Sequence, residues 1–448
     1  MKTRIPLKLL AALTALCLLL SFGAFSAAAD EAPETGDAQS VAQVGTLDKA
    51  LASGLAFDAS GDFKILVMND LDDGIIPYPA MLKYIESVIA DEQPDLIVLN
   101  GNITRGGVSV FMANFAVIPW ICNLFGDIPF TLTFGKTDAL LPVSKNHYLT
   151  NYQKYSNCLA YDDAPINAGV ANHNLFIFND DVAAGDKSLD GVAFNLYLLD
   201  SNKDGFYRPQ AEWYGMKEYD LIKEATDYVV PSLMFSHLPL PEINLALPGE
   251  GLGDTHYNVY ANTMYQQIKN GGKDGVRNAD MRGGVMAVVS GSHPSALFDT
   301  EDDYVDTDVL RGADPFPLRF IQRPGMSFLT CSDTNRDTRG ASIITLHLDT
   351  EAIPATPAVL DPGDGHEITP KVPGEAPEVS ITEVRHIPAF SYFDDGGAML
   401  KFYKAGVNWF FGPLSAFIGL LASPFTDRYA VTYSVNQFFG NIFDWMLK

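Results

Sequence analysis

The sequence predicts an α/β fold, and three observations predict it. Short apolar runs alternate with stretches of helical spacing between residues 62 and 350. Several of these runs end in a polar turn rich in Asn, Gly or Asp, and α/β folds build their sites at the carboxyl ends of strands. The chain has 448 residues, 47% hydrophobic and 19% charged, enough apolar side chain to fill at least one large core.

The elements follow in order. Phe63–Met68 reads as the first strand and the stretch around Met81–Ala90 as a helix. Asp95–Leu99 is a buried strand closed by Asn100-Gly101, Phe111–Leu124 is helical, and Ile128–Phe134 is a strand closed by Gly135. Further strands are expected at Asn174–Phe178, Val192–Leu199, Ser232–Phe235, Val285–Val289 and Ser342–Leu348. Helices fit around Gln210–Ala225 and Tyr257–Ile268.

The flanks differ from this body. Lys2, Arg4 and Lys8 precede an apolar run from Leu9 to Phe25, and Ala27-Ala28-Ala29 offers a cleavage site before Asp30. This is the pattern of an export signal over 1–29, which predicts an extracellular or cell-surface protein. A polar leader spans 30–60, the main domain 61–350 and a Pro-rich linker 351–380. Residues 381–448 are expected to form an apolar helical segment. Within it, the run 405–425 is close to membrane-spanning length but is broken by Gly412-Pro413. It fits either a hairpin packed on the domain or contact with a membrane. The net charge of -25 excludes a nucleic-acid backbone as partner. Cys122, Cys158 and Cys331 remain after the signal. Their odd number and spacing support no zinc site and do not choose a disulfide pair.

Five strand ends carry the candidate chemistry: Met68-Asn69-Asp70-Leu71-Asp72, Asn100-Gly101-Asn102, Gly135-Lys136-Thr137-Asp138, Ser236-His237-Leu238-Pro239 and Ser290-Gly291-Ser292-His293. Their order resembles that of the calcineurin-like metallophosphoesterases, whose segments read D-x-H, G-D, G-N-H-D, a lone H and G-H-x-H. Phe206-Tyr207-Arg208-Pro209-Gln210, His237-Leu238-Pro239-Leu240-Pro241-Glu242 and Arg339-Gly340-Ala341-Ser342 resemble the exported purple-acid-phosphatase-like branch. The resemblance covers roughly residues 62–350. It implies a two-sheet sandwich flanked by helices, and an inherited phosphoester hydrolysis in which two divalent metals clamp a phosphate and activate water.

Carried over residue by residue, the pattern is eroded. Asp70 is kept, and Asp72 stands where a His is expected. Asn102 replaces the bridging Asp, and a neutral amide bridges two cations poorly. Lys136 replaces a ligating Asn, and a protonated ammonium cannot ligate. Thr137 replaces the His that would contact the leaving group. Asp138, the orienting partner of that His, and His237 are kept. Ser292 and Pro294 replace the last two histidines, and His293 lies between them.

The metal ligands left are Asp70, Asp72 and His237. They would serve at most one divalent ion, Mn, Fe, Zn or Ca, at partial occupancy. Asn102, Lys136, Thr137, Asp138, Ser292 and His293 form a vestigial pocket. Lys136 is expected to stand in for a metal's charge by pairing with Asp70 or Asp72. The expected role is non-hydrolytic, binding an unknown protein or a phosphorylated small molecule; the alternative is a phosphoesterase with a reduced or altered metal site.

Two weaker patterns compete. Asp70-Leu71-Asp72 also suits the nucleophile loop of haloacid-dehalogenase phosphatases, and Asp200-Ser201-Asn202-Lys203-Asp204-Gly205 suits the start of a calcium loop.

Overall fold

The computed structural model describes residues 50, 52–72, 79–104, 117–139, 145–165, 167–179, 191–203, 205–220, 230–243, 261–270, 284–292, 297–301, 318–327, 338–349 and 378–392. Eleven strands among them form two sheets.

The first sheet has the order β11-β10-β1-β2-β3, with β1 Asp62–Met68, β2 Leu96–Asn100, β3 Phe130–Thr133, β10 Gly340–Leu348 and β11 Val379–Pro388. The second has the order β4-β5-β6-β7-β9-β8. Its strands are β4 His173–Phe178, β5 Val192–Leu199, β6 Ser232–Ser236, β7 Val285–Ser290, β8 Phe298–Glu301 and β9 Arg319–Gln322. β1, β2 and β3 run parallel, as do β5, β6, β7 and β9, so their carboxyl ends gather at one end of each sheet.

Alternation along each strand divides the core into layers. Ile65 and Val67 of β1 and Val98 of β2 pack with Leu196, Leu198, Leu233, Phe235 and Val289, filling the space between the sheets. Leu66 and Met68 point the other way, into a second core with helix α1, Pro79–Glu92. That helix starts on a proline, whose missing N–H costs nothing there, and buries Met81, Tyr84, Ile85 and Val88 at helical spacing. It stops where Gln93 turns left-handed (φ 47°) ahead of Pro94. Burial of each such large side chain stabilises the fold by roughly 1.5–3 kcal/mol.

The outer face of the second sheet is covered by Trp213 and Tyr214 of Arg208–Asp220 and by Met264 and Tyr265 of Ala261–Asn270. Between α1 and these two come α2, Ile118–Cys122, and α3, Lys145–Tyr152, so Arg208–Asp220 is α4 and Ala261–Asn270 is α5.

The α/β sandwich with outer helices agrees with the sequence expectation. β11 does not: it covers residues that composition divides between linker and apolar helical tail, and it pairs antiparallel with β10 over its whole length. Val379, Ile381, Val384 and Ile387 turn inward while Ser380, Thr382 and Arg385 are exposed, a strand pattern that the prolines before it obscure. Tyr84 of α1 secures this edge, donating its O–H to the Ile387 carbonyl and accepting the Ala341 N–H. Of Phe111–Leu124, the described part is helical from Ile118 and ends in a single tighter turn, Asn123–Phe125. No helix among the described residues is long and apolar enough to cross a membrane. The signal 1–29 and the run 405–425 lie outside the described residues.

Candidate functional site

The ends of β1, β2, β3, β6 and β7 meet in one polar pocket, where the parallel strands deliver their closing turns together. Two of those turns use left-handed backbone at residues with side chains, Asp70 (φ 49°) and Asn102 (φ 51°). Asp and Asn tolerate that region better than other non-glycine residues, and such positions cluster at functional sites. Gly101 (φ 81°) lies against His237: a methyl on it would come within 2.5 Å of the His237 Cβ. Gly135 is equally tight, its hypothetical Cβ 2.5 Å from Asn102 Oδ1 and 2.7 Å from His237 Cδ2. The glycines of these turns therefore bring backbone and side chains together.

Asn100 ties the two sheets at this end. Its side-chain amide donates to the carbonyls of Ser236 and Val289 at 3.3 and 3.4 Å, and its backbone carbonyl accepts the His237 Nδ1–H at 2.8 Å. That bond fixes the tautomer, leaving Nε2 as a lone pair. Burial pushes His237 down to about 4, so the ring is neutral near pH 7. Nε2 is buried with no hydrogen-bond partner and lies 3.4 Å from Asp70 Oδ1.

Asp70 is buried too, and burial pushes its carboxyl up to about 7. The Asn102 hydrogen bond opposes that rise and the charge of Asp138 adds to it. Asn102 Nδ2 donates to Asp70 Oδ1 at 2.8 Å, while Asp70 Oδ2 has no partner. Asn102 Oδ1 accepts the Thr137 N–H at 2.8 Å. Flipping the amide would set oxygen against carboxylate and N–H against N–H, so both neighbours fix its orientation. Asp138 is committed to the backbone: it accepts the N–H groups of Asn102, Gly135 and Thr104 and the Thr104 hydroxyl.

Asp72 is buried in the Asp70 turn, Thr137 is half-buried and Ser292 is half-buried beside Gly291. His293 lies outside the described residues. Lys136 is exposed and makes no ion pair with Asp70 or Asp72, because its turn points the side chain to solvent; the expected charge substitution does not form.

Among the described residues of the calcium-loop pattern, Asp200 is not open to a cation from solution. Asp200 at the end of β5 is fully buried and spends both oxygens on Lys145 Nζ, at 2.6 and 2.8 Å. It also accepts the N–H groups of Val170 and Asn202. The sequence reading missed Lys145, which no local motif marks. It also missed Gly325, where a Cβ would lie 2.8 Å from Asp70 Oδ2; the Pro324-Gly325 turn was its available signal.

A family model described as calcineurin-like phosphoesterase matches residues 63–283. Over that segment the chain is similar to the calcineurin-like phosphoesterases. Two Arabidopsis thaliana proteins are similar: probable inactive purple acid phosphatase 29, 27% identical over 42% of this chain, and probable inactive purple acid phosphatase 14, 25% identical over 43%. The matched segment spans 57% of each relative's length. A solved dimetal phosphatase from Danio rerio is similar at 10% identity and a TM-score of 0.40, over 64% of this chain and 92% of its own. The family match leaves no role for the dehalogenase-type nucleophile loop.

A calcineurin-like phosphoesterase implies two metal ions, and the described residues do not fit a pair. No three His, Cys, Asp or Glu side chains converge among them. The amide at the bridging position turns its N–H groups toward Asp70 and its oxygen toward a backbone donor. Asp70 Oδ2 and His237 Nε2 are left without a hydrogen-bond partner, and Nε2 lies 3.4 Å from the other Asp70 oxygen, Oδ1; a carboxylate and an imidazole suit a single cation.

Proposed function

We propose that this protein, similar to the calcineurin-like phosphoesterases, is exported and lacks the dinuclear hydrolytic centre, using the strand-end pocket to bind a partner or a phosphorylated small molecule. Asn102 carries the reading. Hydrolysis of this type needs a carboxylate between two metals and a general acid at the leaving group. Here a neutral amide is held in place by Asp70 and the Thr137 N–H, and Thr137 stands where the acid is required. The names of the two plant relatives support the loss of hydrolysis, and the apolar N-terminal run supports export.

A second reading is favoured by one observation. Asp70 Oδ2 and His237 Nε2 are buried and unpartnered, and the Asp70 carboxylate reaches within 3.4 Å of Nε2 through Oδ1, so the two side chains can share one divalent ion, Mn, Fe, Zn or Ca. In that case the pocket is a one-metal phosphoesterase of reduced activity.

Elemental analysis of the full purified chain, paired with p-nitrophenyl phosphate and phosphodiester assays in added manganese, tests both. The proposal expects no hydrolysis above buffer and fewer than two metals per chain. Two bound metals with turnover overturn it. One metal with turnover that Asp70→Asn abolishes selects the second reading.

A further inference from the structure

Arg323 follows β9 at the same end of the second sheet. Its backbone N–H donates to the Ser290 carbonyl at 2.8 Å, just before Gly291, and Gly325 two residues on packs against Asp70. The arginine is only 4% exposed, and its Nε has no hydrogen-bond partner. Among the described residues it has one ion pair, and that is loose, Nη2 to Asp299 Oδ2 at 3.7 Å.

That carboxylate is already committed. Arg319 holds Asp299 with two bonds of 2.6 Å, one to each oxygen. One carboxylate thus faces two guanidinium groups and satisfies the more exposed of them. Among the described residues, Asp299 is the carboxylate that acts on Arg323. His386 is pushed down to about 4, first by burial and then by the Arg323 charge, so it is neutral near pH 7. Arg339 is buried in the neighbouring segment, which is joined to this one by the Gly340 N–H donating to the Gly325 carbonyl. Burial lowers Arg323 only to about 10, so it stays charged.

A buried guanidinium without its own counter-charge is costly, and folded proteins supply such groups with a partner. We propose that Arg323 anchors an enclosed oxyanion site beside the strand-end pocket, taking a phosphoryl group through its free Nε–H. The guanidinium fork matches phosphate oxygens, and the Nε–H of Arg323 is a buried donor with no partner. This deepens the reading of the protein as a phosphoryl-ligand binder, but stands on residues outside the metal pocket. The source is either free phosphate or a small phosphate monoester.

The test is calorimetric titration of inorganic phosphate, and separately phenyl phosphate, into the full chain in metal-free buffer. Wild type is expected to bind phosphate saturably. Arg323→Gln is expected to bind about tenfold or more weakly, the loss of a charged hydrogen bond. Asp299→Asn is expected to bind several-fold more tightly, because it removes the competing carboxylate. Binding of phenyl phosphate at matching affinity assigns the site to monoesters; binding of inorganic phosphate alone assigns it to the free ion. Absence of saturable binding by wild type, equal affinity in Arg323→Gln, or unchanged affinity in Asp299→Asn overturns the proposal. If Arg323→Gln fails to fold, the Asp299→Asn titration decides. Finding two bound metals in the native protein would overturn the non-hydrolytic reading and leave these comparisons intact.

Discussion

Asp70 and Asp200 are both buried carboxylates at the carboxyl ends of parallel strands, β1 and β5, and both stand in sequences that resemble cation sites. Their surroundings differ. Asp200 is saturated by the Lys145 ammonium and two backbone donors, so its cation is part of the chain. Asp70 receives one hydrogen bond, from a neutral amide, and keeps an oxygen without partner beside an unpartnered imidazole nitrogen. The first arrangement is structural and closed. The second is left unfinished by the protein itself, which is the condition for binding something else. A carboxylate at a strand end therefore says little about ligands until its counter-charge is known.

The comparison breaks most visibly at Lys145. Lys145→Met leaves Asp200 buried without a cation, and a loss of about 3–5 kcal/mol is expected in urea unfolding. A loss under 1 kcal/mol would mean that the Asp200 centre is not held by its ion pair. The next effect is at Gly101. Its alanine variant puts a methyl against the His237 ring on a left-handed backbone, and a cost of about 2–3 kcal/mol is expected in the same assay. Retained stability would show that the pocket is looser than its geometry. The smallest effect is at Asp70. Asp70→Asn removes a charge that burial disfavours and no cation among the described residues neutralises, so stability should stay within about 1 kcal/mol of wild type or rise. A large loss on that substitution would reveal a hidden counter-charge and erase the contrast with Asp200.

Much of the fold is legible in the sequence. β5 matches its apolar run end to end, and β4, β6, β7 and β10 differ from theirs by one or two residues. β8 and β9 are only four residues each, too short to stand out by periodicity. β11 is hidden behind a proline-rich stretch, and its register depends on β10 across the intervening residues. Within the site, Asp70, Asn102, Asp138 and His237 could be found because each closes a strand. Lys136 was misleading because a loop residue's side-chain direction is not encoded in its neighbours.

The sequence by itself determined the α/β order, the strand ends that carry polar turns, and the replacement of ligand types by Asn102, Lys136 and Thr137. Those are properties of residue type and local period, readable one segment at a time. Tertiary structure decided which charges meet. Lys145 reaches Asp200 across 55 positions, and Asn102 turns its amide to Asp70 across 32. Each of these pairings is set by how two sheets stack and which turns they bring to one end, since a charge's partner is a matter of distance in space and not of position along the chain.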